Sequence, residues 1–417
     1  MEAKYKPRII EGKIKDSLSA AGCIVIEGVR DCGKTTTAEK FAKTTYRLFS
    51  NDPKNETIAV EPTLVLSGET PILIDEWHNV PILWDKVRRE VDDRRTTAQF
   101  ILTGSTAPEY SANRHSGAGR MIIVKMSPMS LCESGIGSKE VDFKNLFKKN
   151  NEKIFGNKEF SLTDYAKYIV IGGWPSNLNL NEKDSSNRIK SYIENLSDVD
   201  LRNVSQKISK QRVISLIRAI SRNISTSSSM ENIAKESQIS PNTLRVYLDQ
   251  LMRVYLLDEL EAWSPHIRAK SRLRVKPKWA FCDPSIATAS LGITSNHLIN
   301  DREAFGLFFE SLVLRDIRVL ASSVDGAVYY ISDSRNDRGN EIDIIVEMWD
   351  GRWAAFEVKL GSPSGIKDAV RNFEWLDNII SDTKREKLMS KNIIIAGGTS
   401  YTREDGINVI SLAHLFA

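Results

Sequence analysis

Short apolar runs, each closed by polar or turn-forming residues, recur along the first third of the chain. Runs of about four to eight residues are typical of buried strands, whereas helices need longer segments with apolar residues three or four positions apart. The runs predict strands at Cys23–Ile26, Pro71–Ile74, Ala98–Ser105 and Met121–Lys125. A helix is expected from Thr36 to Tyr46. Strands that alternate with helices indicate an α/β fold.

The middle of the chain has a different pattern. Residues 136–208 are rich in lysine and mostly helical in spacing, and they predict a linker or lid without chemistry. Short helices are then expected at 213–220, 230–237 and 241–253, before a strand at 255–263. Two short helices joined by a tight turn are typical of a helix-turn-helix. With the strand that follows, they predict a winged helix.

Helical spacing and strand-like apolar runs both occur in the last third of the chain. A helix is predicted from Arg302 to Leu320, and strands at 341–348 and 352–360 are joined around Asp350-Gly351. The other elements of this part are a strand at 328–331, a helix at 367–375 and a strand at 392–396. Together they predict an αβββαβ core.

The length of the hairpin loop decides which side chains of the two long strands share a face. A two-residue loop would set the apolar residues of one strand beside the charged residues of the other. A three-residue loop, with Gly351 in a left-handed conformation, places Ile344 opposite Phe356 and merges the apolar faces. Core packing therefore predicts the three-residue loop.

Composition restricts the compartment and the partners of the protein. The chain has 417 residues and a formal net charge of +4, so a nucleic-acid surface would have to be local. Its four cysteines lack metal-binding or disulfide-like spacing, which indicates a reducing compartment. We find no signal-like start and no apolar run long enough for a membrane, and we expect a cytoplasmic protein. The expected domains are 1–135, 136–208, 209–280 and 281–417.

Residues 28–35 read G-V-R-D-C-G-K-T and match the phosphate-binding pattern G-x-x-x-x-G-K-[ST] at every fixed position. The two glycines let the backbone turn so that successive N–H groups point at a phosphate. Lys34 is suited to reach the β- and γ-phosphates, and the Thr35 hydroxyl to ligate Mg²⁺. The predicted contact residues for ATP are Gly28, Val29, Arg30, Asp31, Cys32, Gly33, Lys34, Thr35 and Thr36.

Further residues fit a site for ATP hydrolysis. A predicted strand ends in Asp75-Glu76, where Asp75 is suited to hold Mg²⁺ and Glu76 to polarise an attacking water. The next strand ends near Thr103 and Ser105, whose hydroxyls are candidates for orienting that water or sensing the γ-phosphate. Arg120 is a candidate to stabilise transferred charge in a neighbouring subunit, which implies a homo-oligomer. A structural salt bridge is the alternative for Arg120.

Six basic residues alternate, with no acid between them, where the wing would lie. Residues that alternate along a strand share one face, so these side chains would follow the phosphates of double-stranded DNA. The alternative is a solvated edge strand kept from aggregating by its charge. The residues are Arg268, Lys270, Arg272, Arg274, Lys276 and Lys278.

Carboxylates of the last third form a candidate metal site. Glu310 lies among apolar residues of its predicted helix, where a carboxylate needs a partner such as a metal ion. The predicted hairpin register places Asp343 opposite Glu357, with Lys359 on the same face. This arrangement resembles the PD-(D/E)XK nucleases, which implies that Glu310, Asp343 and Glu357 hold Mg²⁺ and that Lys359 helps to activate water. The alternative is a catalytically inert fold that serves for docking.

Motifs along the whole chain resemble one known family, the prokaryotic AAA+-type ATPases that carry a C-terminal domain of unknown function related to restriction endonucleases. The motifs that follow the phosphate loop are Ile74-Asp75-Glu76-Trp77-His78-Asn79-Val80-Pro81, Leu102-Thr103-Gly104-Ser105, Gly119-Arg120, Pro128-Met129-Ser130-Leu131-Cys132-Glu133 and Gly172-Gly173-Trp174-Pro175. The resemblance implies an AAA+-like ATPase domain at the front and a restriction-endonuclease-like α/β domain at the rear. The chain departs from the family at His78, usually Gln, and at Cys132, often Arg.

These features predict a protein that binds and hydrolyses ATP with Mg²⁺, engages DNA and cleaves it at the rear site. The alternative is a nucleotide-dependent switch whose nuclease fold is inert. Rear carboxylate oxygens that converge within about 4–5 Å favour cleavage, and carboxylates that point apart favour the switch. A small-molecule kinase would leave the rear of the chain unexplained.

Overall fold

A computed structural model of the chain describes residues 5–106, 119–149, 152–196, 209–226, 229–264, 278–333 and 340–417. These residues divide into two compact units. The first comprises Pro7–Pro128 together with Asp249–Leu256, and the remaining described residues form the second. None of the helices in these ranges is long and apolar enough to cross a membrane. Each unit combines helices with a central sheet, so the predicted α/β class is confirmed.

A parallel sheet of five described strands forms the centre of the first unit, in the order β2-β3-β4-β1-β5. The strands are β1 (Cys23–Glu27), β2 (Thr44–Arg47), β3 (Ile72–Asp75), β4 (Phe100–Gly104) and β5 (Met121–Lys125). The helices are α1 (Ile10–Ala20), α2 (Lys34–Glu39), α3 (Lys54–Val60) and α4 (Leu83–Arg94). The apolar runs of the three inner strands are buried, as expected for parallel strands covered on both faces.

The helix predicted from Thr36 to Tyr46 is wrong in its second half. Helix α2 ends at Glu39, and Thr44–Arg47 forms strand β2 at the edge of the sheet. Two threonines and a tyrosine favour an extended backbone, and pairing with β3 satisfies its hydrogen bonds. Sheet pairing has therefore overridden the helical spacing.

A larger sheet forms the centre of the second unit, with the described strand order β10-β11-β12-β13-β15-β14-β7. The strands of this unit are β6 (Val141–Asp142), β7 (Phe155–Gly156), β8 (Leu257–Leu260), β9 (Lys278–Phe281), β10 (Gly326–Asp333), β11 (Asn340–Met348), β12 (Trp353–Lys359), β13 (Leu388–Ile395), β14 (Ser400–Thr402), β15 (Asn408–Ser411) and β16 (Leu415–Phe416). The helices that begin in it are α5 (Leu131–Ser134), α6 (Leu162–Ile171), α7 (Glu182–Asn195), α8 (Lys210–Arg222), α9 (Met230–Ser237), α10 (Pro241–Arg253), α11 (Ser285–Leu291), α12 (Ser295–Asn300), α13 (Arg302–Ala321), α14 (Pro363–Ile379) and α15 (Asp382–Glu386).

The predicted hairpin register is confirmed. Strands β11 and β12 are antiparallel, and Ile344 lies opposite Phe356. The loop between them has three residues, and it ends at Gly351, whose φ is +82°. The Gly351 N–H donates to the carbonyl of Met348 at 2.9 Å, which closes the turn. Burial of the apolar side chains on both strands is the reason that this register is selected.

The early part of the lysine-rich segment contains strands that its helical spacing did not predict. Strand β7 pairs with β14, and β6 pairs with β16, so its early part extends the sheets of the second unit. Phe143 and Phe147 beside these strands are fully buried, which explains why the segment packs as core. Helices α8, α9 and α10 lie where short helices were predicted. The winged-helix assignment and the four domain boundaries stay predictions.

Candidate functional site

The phosphate loop joins a buried strand to a helix, as predicted. Strand β1 ends at Glu27, and α2 begins at Lys34. A Cβ at Gly28 would collide with the carbonyl oxygen of Met126, so this position requires glycine. Gly33 has φ +102°, a left-handed conformation that favours glycine at the start of the helix. The two fixed glycines thus serve different steric needs.

Some of the predicted ATP-contact residues have buried side chains, and others have exposed ones. The side chains of Val29 and Cys32 are buried in the unit, whereas Arg30, Asp31 and Thr36 are exposed. Buried side chains leave their backbone N–H groups as the parts of the loop suited to a phosphate. Contact of these residues with ATP stays a prediction.

Lys34 and Thr35, the first residues of α2, both form side-chain hydrogen bonds within the first unit. Lys34 is buried, and its ammonium donates to the carbonyls of Gly28 at 2.9 Å and Val29 at 3.0 Å. The Thr35 hydroxyl donates to Oδ1 of Asp75 at 2.8 Å. The structure thus brings together the hydroxyl and the carboxylate that were predicted to hold Mg²⁺.

Thr103 is a partner of Asp75. It is fully buried, and its hydroxyl donates a short hydrogen bond to Oδ1 of that carboxylate. Its oxygen also accepts from the backbone N–H of Glu76 at 3.2 Å. Burial raises the pKa of Asp75, and the bonds from Thr103 and Thr35 oppose that rise. Thr103 therefore orients the Asp75 carboxylate at the end of β3, and its role toward an attacking water or the γ-phosphate stays a prediction.

Glu76 has a left-handed backbone, with φ +55° and ψ +42°. This conformation is unusual for a residue other than glycine and directs the side chain toward the end of β4. There Oε2 accepts from the N–H of Ser105 at 3.3 Å and from its hydroxyl at 3.1 Å, and Nδ1 of His78 lies 3.3 Å away. The side chain is 28% exposed, so solvent water reaches it. The hydroxyl of Ser105 thus contacts the Glu76 carboxylate, whereas that of Thr103 contacts the backbone N–H of Glu76.

Arg120 forms a salt bridge, which is the alternative that the sequence analysis gave for it. Its Nε donates to Oδ1 of Asp92 at 2.9 Å, within the first unit. The guanidinium is 44% exposed, and this ion pair is of the surface type, which contributes about 1 kcal/mol or less. A role in a neighbouring subunit stays a prediction.

The predicted DNA-binding stripe is described at one position. Arg268, Lys270, Arg272, Arg274 and Lys276 lie outside the described residues. Lys278, the sixth member, begins β9, and its side chain is only 7% exposed. Its ammonium forms ion pairs with Glu310 and Glu341. The assignment of Lys278 to an exposed phosphate-binding face is therefore wrong, because acids distant in sequence draw the side chain inward.

The rear carboxylates lie close to lysines. Asp343 accepts from the backbone N–H of Val358 at 2.7 Å. Glu357 is fully buried, and its Oε2 accepts from Nζ of Lys359 at 2.7 Å and from the side-chain amide of Asn372 at 3.1 Å. Nζ of Lys359 is also 3.8 Å from Oδ2 of Asp343. The predicted register thus assembles Asp343, Glu357 and Lys359 as an ion-pair group.

Burial perturbs the acids of this group strongly. Desolvation, followed by repulsion from Asp343, raises the pKa of Glu310 and of Glu357 to about 8. Desolvation alone would lower the pKa of Lys359, but the charges of Asp343 and Glu357 raise it. Lys359 therefore stays charged, and the two glutamates hold protons more readily than free glutamate does.

The predicted Mg²⁺ site of Glu310, Asp343 and Glu357 is not assembled. Across the described ranges, no group of three or more His, Cys, Asp or Glu side chains is arranged to hold a metal ion. Lys359 bonds to Glu357, and Lys278 to Glu341 and Glu310, so ammonium groups face the carboxylates that were to converge. The residues present do not fit a divalent cation in this arrangement.

Two residues of this region, Glu341 and Asn372, were missed by the sequence analysis, and a third, Lys278, was assigned to another surface. Glu341 lies two positions before Asp343 on β11, and period-two alternation would have placed both on one face. Asn372 lies on α14, and no local pattern indicates that it contacts Glu357. Lys278 was predicted to lie on the DNA-binding stripe and not beside these carboxylates.

The Gly-Gly-Trp-Pro motif at 172–175 is structural within the second unit. The N–H of Gly173 donates to Asp283 at 2.8 Å, and the same carboxylate oxygen accepts from the buried Arg315, also at 2.8 Å. A Cβ at Gly173 would collide with the carbonyl of Met129. The motif therefore lets two backbone segments approach closely.

Three family models match successive parts of the chain. An AAA domain matches residues 21–134, a domain of unknown function (DUF8612) matches 162–297, and another domain of unknown function (DUF4143) matches 305–415. The AAA match includes the phosphate loop and Asp75-Glu76, and it supports a P-loop ATPase family for this part of the chain. The nuclease resemblance has no such support, because the rear match is to a domain of unknown function.

Similar whole proteins are also known. Uncharacterized proteins of Mycobacterium bovis and Mycobacterium tuberculosis are each 24% identical over 365 residues, which cover 86% of this chain and 75% of theirs. A solved Walker-type ATPase of Pyrococcus abyssi is 13% identical, with a TM-score of 0.40, over 67% of this chain and 94% of that one. The ATPase assignment rests on the AAA match together with the phosphate-loop sequence.

Proposed function

We propose that the first unit binds ATP with Mg²⁺ and hydrolyses it. The observation that carries the proposal is the hydrogen bond between Thr35, at the end of the phosphate loop, and Asp75, at the end of β3. A hydroxyl and a carboxylate that meet beside a phosphate loop are the oxygen ligands that Mg²⁺ prefers. Glu76 follows directly in sequence with a solvent-reachable carboxylate.

Each residue of this site has a separate task in the proposed reaction. The loop N–H groups bind the phosphates, and Lys34 leaves the carbonyls of Gly28 and Val29 to pair with phosphate oxygens. Thr35 and Asp75 would hold Mg²⁺, which when bound neutralises charge on the β- and γ-phosphates. Glu76 orients and polarises the attacking water.

A pair of substitutions tests this division of tasks. Lys34→Ala should abolish ATP binding, because the loop loses its cation. Glu76→Gln should retain binding and lose turnover by at least about 100-fold, since the amide cannot accept the proton of water. Phosphate release and binding of a fluorescent ATP analogue would be measured side by side, with Arg89→Met as an exposed control. Turnover that survives Lys34→Ala would refute the assignment.

For the rear of the chain, we propose a nucleotide-dependent binding module that does not cleave DNA. This second proposal is favoured by the ion pairs that two predicted metal ligands form with lysines, Glu310 with Lys278 and Glu357 with Lys359. Incubation of the full chain with Mg²⁺, ATP and linear, circular or single-stranded DNA should leave every substrate intact. Cleavage that disappears in Asp343→Asn would overturn the proposal.

DNA binding itself is a further part of this proposal and depends on Arg268 to Lys276. Contact between such a stripe and phosphates predicts affinity that falls steeply with salt. Gel-shift titrations at low and high salt would measure that slope. Binding that is absent, or independent of salt, would remove DNA as the partner and leave a different macromolecule to be found.

A further inference from the structure

The acidic group of the second unit contains a cation supplied by a separate element. Lys278 is the first residue of β9, and its side chain is 7% exposed. Its Nζ lies 3.7 Å from Oε1 of Glu310 on α13 and donates a short hydrogen bond to Oε1 of Glu341 on β11. One ammonium thus joins carboxylates from a helix and a strand.

The surroundings of this ammonium favour a positive charge. Its Nζ lies 5.2 Å from the ring centroid of Tyr330, a distance at which the aromatic face attracts a cation. A cavity of about 10 Å³ is lined by Lys278, Glu310 and Asp343, among others. That volume is roughly the space of one water molecule, too little for a metal ion with its hydration shell.

We propose that Lys278 is the built-in counter-ion of this site and takes the place of a divalent cation between Glu310 and Glu341. The ammonium donates a hydrogen bond to Glu341 and forms an ion pair with Glu310, and its charge repels a metal ion from the space between them. The other half of the group has the equivalent arrangement, since Lys359 pairs with Glu357. The inference is independent of the ATPase proposal and explains, at the level of residues, why the rear site would not cleave DNA.

Removal of this ammonium should convert the group into a metal site. In the nucleotide-free full chain, Mn²⁺ binding would be followed by the loss of the free-ion electron paramagnetic resonance signal. Lys278→Met should bind Mn²⁺ with a dissociation constant at least about tenfold below that of the wild type. Lys367→Met, a substitution on an exposed face of α14, should match the wild type.

The double variant Lys278→Met with Glu310→Gln identifies the ligands. It should lose the gained affinity, because one of the two carboxylates freed by removal of the lysine has become an uncharged amide. If Lys278→Met fails to fold, Lys278→Gln, which keeps a polar group in the cavity, is compared in the same way. Equal Mn²⁺ affinity in the wild type and in the folded variant, or a gain that survives Glu310→Gln, would overturn the proposal.

Discussion

Arg8 supports the phosphate loop by bonding to a backbone carbonyl of the loop, and its removal should weaken ATP binding. Its side chain is buried, and the guanidinium donates to the carbonyl of Cys32 at 2.8 Å and to that of Ser127 at 2.7 Å. Cys32 belongs to the loop, and holding its carbonyl outward helps to keep the loop N–H groups directed inward. Arg8→Met would leave both carbonyls without this donor.

The size of the effect follows from these two bonds. A hydrogen bond from a charged donor contributes about 1.5–3 kcal/mol, and methionine preserves most of the apolar packing of the arginine stem. We therefore expect the first unit to lose about 3 kcal/mol of unfolding free energy. About half of this free energy comes from the bond to Cys32 and holds the loop in place. If that share is lost from ATP binding, the affinity for ATP falls roughly tenfold or more.

Two measurements separate a loop-positioning role from a merely structural one. Urea unfolding gives the stability change, and titration with a fluorescent ATP analogue gives the dissociation constant. Arg8→Lys, which reaches one carbonyl, should give intermediate values, and the exposed Arg89→Met should change neither. A less stable Arg8→Met that binds ATP as tightly as the wild type would refute the positioning role.

Three further predictions concern Gly28, Thr103 and the two buried glutamates of the second unit. Gly28→Ala should lose nucleotide binding, because its Cβ collides with a backbone carbonyl, and a binding titration checks this. Thr103→Val removes the bond to Asp75 and should lower phosphate release about tenfold while the thermal midpoint falls by a few degrees. The folded state retains protons on Glu310 and Glu357 up to about pH 8, whereas unfolded glutamates release them near 4.5. Folding therefore binds protons between these values, and the stability of the second unit should fall as pH rises through that window, by up to about 1.4 kcal/mol per pH unit for each proton. Urea unfolding near pH 5, 7 and 9 measures this slope, and a slope that is unchanged in Glu357→Gln would contradict it.

Most of the secondary structure was predictable because the signals are local. Apolar runs predicted four strands of the first sheet, β1, β3, β4 and β5, and four of the second, β10 to β13. Helical spacing predicted α8, α9 and α10. The β11–β12 register was also predictable, because the loop length and the alternation of both strands lie within one hairpin. The edge strand β2 was not predictable, because its partner β3 is remote in sequence and the spacing of its residues looked helical.

Residue types and spacing by themselves determined the phosphate loop, the acids that follow β3 and the group of Asp343, Glu357 and Lys359. Each of these depends on steric or alternation rules that act over a few residues. Only the tertiary structure decided which groups these residues meet. Because β4 lies between β1 and β3, Thr103 reaches Asp75. Because β9 brings Lys278 beside α13 and β11, an expected DNA contact becomes a buried counter-ion. One-dimensional periodicity reports the face on which a side chain lies but not the charge that the fold places opposite it.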